Sequence, residues 1–349
     1  MTDFHSLTIS EVKKETPNSV SITLHIPESL SRSFAFKAGQ YITFKHFVDG
    51  SEIRRAYSIC SSPNSGKLKV GIKKVEGGTF SVYASEQLKE GDLLEVMPPE
   101  GHFVFQPNEA NENTYGAFAA GSGITPVLSI ITDVLEREPK SSFVLVYGNQ
   151  TLEEAMFTAE LEALKSSYGD RLKVEYIFSR SKEENALRGR IDRSVVNYLL
   201  KNKYGAVNFS TYYLCGPEAM IQEVTETLHS RGVAGENILY ELFTTSEEGE
   251  LTENHDGTTT ITITVDDETE TFQMSQEKSV LDAALDQDLD VPYSCQGGIC
   301  SSCIARVTKG KVEMRKNQIL TDSELEEGLI LTCQSHPTTS TLEVDYDDV

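Results

Sequence analysis

Four cysteines in the last part of the chain have the spacing of metal ligands. Cys295, Cys300 and Cys303 lie within the segment SCQGGICSSC, and Cys333 follows in LILTCQS. Thiolates are soft ligands that suit iron–sulfur clusters or zinc, and the two glycines of the loop allow turns that other residues resist. Zinc sites usually take cysteines as two close pairs, whereas three share one loop here. The spacing therefore favours a [2Fe–2S] cluster, with structural zinc as the alternative.

The C-terminal region as a whole resembles a plant-type ferredoxin. The spacing C-x4-C-x2-C with a remote fourth cysteine is that of plant-type [2Fe–2S] ferredoxins. A predicted hairpin, TITITVDDETETFQM, and a predicted short helix, SVLDAALDQ, precede the loop. The resemblance implies an α+β domain of the β-grasp class over residues 259–349. It also implies that Cys295, Cys300, Cys303 and Cys333 ligate the cluster.

Two segments near the start of the chain contain residues suited to a flavin. A nicotinamide delivers two electrons as hydride and a [2Fe–2S] cluster accepts one, so an intervening flavin is expected. In RAYS the arginine can pair with a phosphate, the tyrosine can pack on the isoalloxazine ring and the serine can hydrogen-bond near N5. GGTFS places glycines and hydroxyls at a predicted helix start, where phosphates bind. The flavin-binding candidates are Arg55, Tyr57, Ser58, Gly77, Gly78, Thr79 and Ser81.

A third group of candidates follows the strands of a predicted parallel sheet. In AAGSGITPVLSI a strand passes into a helix, so glycines allow close approach of a pyrophosphate and the helix dipole favours its charge. A strict G-x-G-x-x-G is absent, because Pro126 takes the place of the last glycine. After KVEYIF, an arginine accommodates the 2′-phosphate of NADPH, whereas an acidic residue would favour NADH. The nucleotide-binding candidates are Gly121, Gly123, Thr125, Pro126, Ser179 and Arg180, and NADPH is favoured over NADH.

Together these motifs resemble those of the ferredoxin–NADP reductase superfamily. RAYS and GGTFS match its flavin motifs, and YLCGPEAM matches its nicotinamide-side motif. YELF matches the segment in which similar reductases place a glutamate and an aromatic residue against the flavin. The resemblance implies that Ser58, Cys215 and Glu241 act at the reacting centre. The further cofactor contacts that it implies are Gly216, Pro217 and Phe243.

The order of a flavin barrel, a nucleotide domain and a C-terminal ferredoxin resembles that of reductase subunits of phenylacetyl-CoA oxygenase (epoxidase) complexes. The resemblance implies an NAD(P)H-dependent oxidoreductase of phenylacetate catabolism. NADPH would deliver hydride to FAD, and single electrons would pass through the [2Fe–2S] cluster to the di-iron oxygenase subunits of a multicomponent monooxygenase. A reductase of a Rieske-type or steroid hydroxylase is the alternative, and FMN in place of FAD is a variant. A redox sensor or zinc-stabilised binding module is the non-enzymatic alternative.

The elements that must position these residues fall into three regions and a linker. Residues 1–107 consist of short strands separated by Pro, Gly, Asn and Ser, which is typical of a small antiparallel β-barrel. Residues 108–243 alternate apolar strands with helical stretches such as EAMFTAELEALKSSY, which indicates an α/β doubly wound parallel sheet. Residues 244–258 are acidic and polar, which predicts a flexible linker before the ferredoxin domain. The acids of TDSELEEG are predicted to start a helix.

Composition and charge argue against two classes of partner. The chain of 349 residues has a net charge of −23, with 18 Asp/Glu against 6 Lys/Arg in residues 259–349. Nucleic acid is therefore not an expected partner, and the ferredoxin region should approach a basic surface. No apolar run is long enough to span a membrane, and the first residues have no signal pattern.

Six cysteines do not make a disulfide framework, so a cytoplasmic location is expected, and Cys60 is interpreted as structural.

Overall fold

Contacts divide the protein into two compact units. The structure is a computed structural model that describes residues 4–48, 50–243, 251–253 and 255–349. Of these residues, one unit holds 5–48, 50–53 and 57–243, and the other holds 251–253 and 255–349 with 4 and 54–56. Within the described ranges, every helix is too short or too polar to cross a bilayer.

The first unit begins with six strands that form an antiparallel, barrel-like sheet. They are β1 (His5–Thr16), β2 (Ser19–His25), β3 (Tyr41–Val48), β4 (Ser51–Ser58), β5 (Leu68–Lys73) and β6 (Leu93–Val96). Their order is β4-β3-β6-β1-β2-β5, and a bridge between Ile59 and Val70 joins its two edges, which curves the sheet towards closure. Inward-facing residues such as Ile22 and Phe44 are fully buried. The predicted antiparallel barrel is confirmed.

Six parallel strands form the second sheet of the same unit. They are β7 (Thr114–Ala120), β8 (Ser142–Asn149), β9 (Leu172–Phe178), β10 (Leu187–Arg188), β11 (Phe209–Cys215) and β12 (Ile238–Glu241). Their order is β10-β9-β8-β7-β11-β12, and all pairs are parallel. The order reverses beside β7, which opens the crevice in which doubly wound sheets bind ligands. The predicted α/β sheet is confirmed.

Five α-helices complete this unit within its described residues, and one of them begins later than the sequence predicts. They are α1 (Phe80–Glu86), α2 (Ile124–Arg137), α3 (Thr158–Tyr168), α4 (Arg193–Tyr198) and α5 (Glu218–Ser230). The stretch EAMFTAELEALKSSY predicts a helix from Glu154, which is wrong for its first four residues. Phe157 has a φ of 58°, and the buried Tyr147 hydroxyl accepts from Met156 N at 3.1 Å. These tertiary constraints hold the segment before Thr158 in turns.

Helix α2 packs the barrel against the parallel sheet. Ser129 Oγ donates to Ser61 O at 2.6 Å, and Asn64 Nδ2 donates to Asp133 Oδ1 at 3.3 Å. Asp133 is 1% exposed, and burial raises the pKa of its carboxyl to about 6. The Asp133 carboxyl, whose ionisation is disfavoured by burial, therefore lies between the two sheets.

Replacing Asp133 with asparagine should stabilise this unit at alkaline pH. The pKa of Asp133 rises from 3.8 to about 6 in the folded state, so its contribution to stability is complete below pH 3.8 and is lost as the pH rises through 6. Asparagine keeps an acceptor for Asn64 without the charge. We expect the free energy of unfolding to rise by about 2 kcal/mol at pH 8 and by much less at pH 4.

Thermal unfolding of the Asp133→Asn variant and the wild type at the two pH values measures this gain. Asp170→Asn is the matched control, because Asp170 is exposed and pairs with Lys173 at the surface. An equal gain at pH 4 and pH 8 would show that the effect does not come from ionisation.

In the part of the second unit that the structure describes, there are a mixed five-stranded sheet, a two-stranded sheet and two α-helices. Its strands are β13 (Thr258–Val265), β14 (Glu268–Ser275), β15 (Ile304–Lys309), β16 (Val312–Met314), β17 (Leu329–Leu331), β18 (Ser335–Pro337) and β19 (Thr341–Asp345). Its helices are α6 (Val280–Leu285) and α7 (Asp322–Glu326). The larger sheet has the order β14-β13-β19-β15-β17, and β16 pairs with β18. Parallel pairing of β13 with β19, and buried Leu281 of α6, agree with the predicted β-grasp class.

The sequence predicts the hairpin and α7 of this unit correctly. β13 and β14 pair in register through a turn at Asp266 and Asp267, and both turn residues have positive φ. Thr321 and Glu324 form a reciprocal capping box at the start of α7, which is the helix-start signal in TDSELEEG.

The predicted linker lies only partly on described residues. Residues 244–250 and 254 lie outside the described ranges, so the flexibility of the linker and the four domain boundaries stay predictions. The remainder is attached to the second unit through the Glu313 carboxylate and through His255, whose Nδ1 lies 3.0 Å from Pro337 O. Glu313 accepts from Thr252 N at 2.7 Å and from Glu253 N at 3.0 Å, and His255 Nε2 lies 2.9 Å from it. The His255 contact and then these donors lower the pKa of Glu313 to about 2.

Candidate functional site

Three proposed reacting residues meet at the carboxyl edge of the parallel sheet. Cys215 ends β11 and pairs with Glu241, which ends β12. Ser58 ends the barrel strand β4, and its Oγ donates to Glu241 Oε2 at 2.8 Å. Their exposed fractions are 0% for Cys215, 8% for Glu241 and 3% for Ser58. The fold therefore brings together residues that lie far apart in sequence.

Burial keeps the Glu241 carboxyl protonated near neutral pH. Loss of hydration raises the pKa of Glu241 to about 8, and the hydrogen bond from Ser58 offsets this only in part. Burial, and then the neighbouring Glu241 charge, also raise the pKa of the Cys215 thiol. When Glu241 holds its proton, its O–H can donate to Ser58 Oγ, which frees the serine hydrogen for another acceptor. The pair can therefore hold a proton and pass it to a bound group.

Glycines at the start of α2 serve two different purposes. A Cβ at Gly123 would lie 2.1 Å from Cys215 O, so only glycine allows this turn to approach β11. Gly121 has a φ of 56°, and a Cβ there would meet nothing within 4 Å. Glycine is therefore favoured at position 121 because the backbone there is left-handed, and the space beside it is open. Such space next to the start of a long helix suits a pyrophosphate.

Other candidates at this edge shape the backbone. Thr125 and Pro126 are buried in the first turn of α2, and Thr125 Oγ1 donates to Ser122 O at 2.9 Å. Gly216 and Pro217 connect β11 to α5. Contact of these four residues with a nucleotide stays a prediction.

Ser179 and Arg180 continue from β9 at the same edge of the sheet. Ser179 N donates to Asn149 O at 3.0 Å, and Arg180 is exposed. Asn149 Oδ1 and Ser181 Oγ are buried without a hydrogen-bond partner among the described residues. Because buried polar atoms are nearly always paired, these two atoms suit a polar ligand such as a nucleotide. Sequence reasoning missed both, and the end of a predicted strand was the available signal.

Tyr57 and Ser81 belong to an aromatic and polar corner of the barrel. The half-buried Tyr57 ring lies 5.6 Å from the Phe80 ring and 5.9 Å from the Phe44 ring, between centroids. Ser81 is buried, and its Oγ accepts from Val75 N at 3.1 Å. The Ser81 hydroxyl therefore closes the turn before α1.

The remaining flavin candidates lie at the surface or in the adjoining core. Gly77 has a φ of 71° with open space at its Cβ position, and Thr79 and Arg55 are exposed. A Cβ at Gly78 would lie 2.6 Å from the Ser81 hydroxyl. An exposed arginine and a glycine turn are each groups that can bind phosphate, and the contact of either with a flavin stays a prediction. Phe243 packs against the core of the parallel sheet.

The four C-terminal cysteines form two neighbouring pairs. Cys295 N donates to Cys300 Sγ at 3.5 Å, and Cys333 lies close enough to Cys303 to raise the pKa of its thiol. No three Cys, His, Asp or Glu side chains among the described residues surround one point that suits a single ion. A [2Fe–2S] cluster takes two protein ligands on each iron, whereas zinc needs four around one point. Two pairs therefore fit the cluster better than zinc.

The cysteine loop also directs backbone N–H groups at sulfur. Gly297 N donates to Cys295 Sγ at 3.3 Å. The Cys300 thiol and then the loop amides lower the pKa of Cys295. Pairing with Cys333 and burial raise the pKa of Cys303. Amide donors around shielded sulfur atoms form the environment that sets a cluster's potential.

Replacing Gly298 with alanine should prevent cluster assembly, whereas the same change at Gly297 should be tolerated. Gly298 has a φ of 69°, and a Cβ there would lie 3.0 Å from Gln334 Cγ and 3.1 Å from Lys316 O. At Gly297 the nearest atom would be 3.8 Å away. The left-handed backbone alone costs alanine about 1–2 kcal/mol. Iron and acid-labile sulfide in the two purified variants measure the difference, and equal contents would contradict it.

Three family models match successive parts of the chain. The Oxidoreductase FAD-binding domain matches residues 6–105, and the Oxidoreductase NAD-binding domain matches residues 118–226. The 2Fe-2S iron-sulfur cluster binding domain matches residues 263–338. These matches confirm the predicted kinds of cofactor domain and their order.

Two curated proteins align with nearly the whole chain. One of the subunits of 1,2-phenylacetyl-CoA epoxidase from Escherichia coli (strain K12) is 41% identical, and the alignment covers 99% of each chain. The ferredoxin reductase component of 3-ketosteroid-9-alpha-monooxygenase from Rhodococcus rhodochrous is 31% identical over 97% of this chain and 96% of the relative. Among solved structures, phthalate dioxygenase reductase has a TM-score of 0.60 at 23% identity, with 98% of each chain covered. The likeness to phthalate dioxygenase reductase shows a shared fold.

Proposed function

This chain belongs to the family of oxygenase reductase components that join FAD-binding, NAD-binding and 2Fe-2S domains, and we propose that it passes electrons from NADPH to the di-iron oxygenase subunits of a phenylacetyl-CoA epoxidase. The observation that carries the choice of acceptor is 41% identity with the Escherichia coli epoxidase protein across 99% of both chains. The steroid monooxygenase component, at 31%, is the second candidate.

The residues of this chain divide the work between the two units. When bound, FAD takes two electrons from a nicotinamide and releases them singly, and a [2Fe–2S] cluster carries one electron at a time. The two cysteine pairs would hold the cluster in a shielded loop. Glu241 holds a proton below about pH 8, and Ser58 can relay it to a group bound at the edge of the sheet. The buried Cys215 thiol helps to exclude water there.

Selectivity for NADPH is assigned to Ser179 and Arg180. Both follow β9 at the carboxyl edge of the sheet, and an arginine there accommodates a 2′-phosphate. Lys182 follows two positions after Arg180 and adds a second positive charge near the end of the strand.

Replacing Arg180 with alanine should raise the KM for NADPH about tenfold and leave that for NADH almost unchanged. A charge-assisted hydrogen bond to phosphate contributes about 1.5–3 kcal/mol, which corresponds to a tenfold or larger change. Steady-state reduction of an artificial acceptor with each nucleotide measures it. Arg193→Ala is the control, because Arg193 is exposed and pairs with Glu226. Equal loss with both nucleotides would argue against this assignment.

Reconstitution tests the acceptor. Purified protein is combined with the oxygenase subunits of phenylacetyl-CoA epoxidase and, separately, with the oxygenase of the steroid system, and product formation is followed with NADPH. We expect turnover with the epoxidase subunits and little with the steroid oxygenase. Turnover with the steroid oxygenase alone would transfer the proposal to the second candidate.

A cytoplasmic location is part of the same proposal. All six cysteines are free thiols, and reducing compartments keep thiols in this state. The two cysteine pairs of the second unit would then remain available for cluster assembly.

A further inference from the structure

We propose that Gln334 is a positioning residue that sets the reduction potential of the cluster through its side-chain amide. The inference rests on the 2Fe-2S domain of the proposed function and concerns a residue outside the ligand set. Gln334 Nε2 donates to Gln296 O at 3.0 Å, to Cys333 O at 3.1 Å and towards Cys333 Sγ at 3.8 Å. One amide group thus connects the two segments that carry the cysteines.

The orientation of this amide follows from its surroundings. Both carbonyls are acceptors, so the NH₂ end must face them, and its two hydrogens are directed at the loop and at the Cys333 turn. The backbone of Gln334 is also fixed, because its N–H donates to Leu331 O at 2.9 Å and its carbonyl accepts from Arg315 N at 2.8 Å. The side chain therefore starts from a rigid base.

The loop is shaped to receive this side chain. Gln334 Cγ lies 3.0 Å from the position that a Cβ would occupy on Gly298, so the stem of the glutamine crosses the loop where glycine leaves room. Beside it, Gln296 has a φ of 54°, which is unusual for a residue with a side chain. The hydrogen bond from Gln334 to Gln296 O helps to keep the loop in that strained conformation.

The sign of the effect follows from the charge on sulfur. Reduction of the cluster adds negative charge that is shared by its thiolate ligands, and an N–H donor stabilises the more negative state. Hydrogen-bond donors to ligand atoms are among the features that tune metal centres. The Gln334 donor should therefore make the reduction potential of the cluster higher than it would be without this hydrogen bond.

Gln334→Met tests this role, because methionine keeps the length of the stem and removes the donor. We expect unchanged iron and sulfide content, and a three- to tenfold less favourable equilibrium for reduction, which is a potential lower by about 30–60 mV for one electron. Spectroelectrochemical titration of the holoprotein gives the potential, and the EPR signal of the reduced cluster should shift with it. Gln287→Met, at an exposed position just after α6, is the matched control.

A Gln334→Met protein with a full cluster and a wild-type potential would overturn the inference. If Gln334→Met loses iron, Gln334→Lys, which restores a donor on a stem of similar length, should regain it, and failure to do so would also overturn the donor role. Absence of a cluster from the wild-type protein would instead contradict the proposed function.

Discussion

Replacing Cys303 with serine should remove the visible absorption of the [2Fe–2S] cluster and lower electron delivery to an external acceptor by more than about 100-fold. Loss of residues that merely support a metal ligand already costs 10–100-fold, and Cys303 is itself a proposed ligand, 1% exposed and in contact with Cys333. Reduction of the flavin by NADPH should be unaffected, because Ser58 and Glu241 lie in the other unit. Stopped-flow absorption separates the two reactions.

Cys60→Ser is the control for this experiment. Cys60 is also buried, at 2% exposed, but it lies beside the barrel, where its thiol donates to Lys69 O at 3.3 Å, and a serine hydroxyl can make the same bond. Its cluster content and electron delivery should match the wild type. Wild-type iron and sulfide in Cys303→Ser would refute the proposed ligand set.

Replacing Glu241 with glutamine should slow reduction of the flavin by NADPH about 100-fold at pH 7. Glutamine keeps the shape of the carboxyl and an acceptor for Ser58 but cannot release a proton, and general acid catalysis is typically responsible for 10²–10⁴-fold in rate. The cluster content should be unchanged, which distinguishes this variant from Cys303→Ser.

The pH dependence gives a second test of Glu241. Its pKa is raised to about 8, so the carboxyl is protonated at pH 7 and ionises as the pH passes 8. The wild-type rate should therefore fall above pH 8, and the rate of Glu241→Gln should be low and flat. Tyr240→Phe, at the exposed neighbouring position, should keep the wild-type profile. A decline at pH 8 that persists in Glu241→Gln would assign it to another group.

The sequence predicts the parts of this protein whose patterns are local. The cysteine spacing, the alternation of strands and helices, and the capping signal of Thr321 and Glu324 each lie within one segment. The start of α3 is different, because contact between Tyr147 and Met156 overrides a helical pattern. Local composition cannot reveal such a contact, since its partners come from separate elements.

The candidate site likewise has parts that the sequence predicts and parts that it does not. A family resemblance points to Ser58 and Glu241, but their hydrogen bond and the raised pKa of Glu241 result from folding. Thr125 and Ser81 are hydroxyl residues in the predicted motifs, yet both hydroxyls shape turns. Asp133 belongs to no motif, and Gln334 follows Cys333 in LILTCQS without being a proposed ligand, so their roles follow from burial and contacts.

The attachment of Thr252, Glu253 and His255 to Glu313 determines where this protein can be divided. A separately expressed C-terminal fragment that starts at residue 259 would lack the three residues that bond to Glu313. A fragment that starts at residue 251 would contain them. Chimaeras that exchange electron-transfer modules between related proteins should accordingly place their breakpoint within residues 244–250. An exchange at that breakpoint transfers Glu313 together with the segment whose residues bond to it.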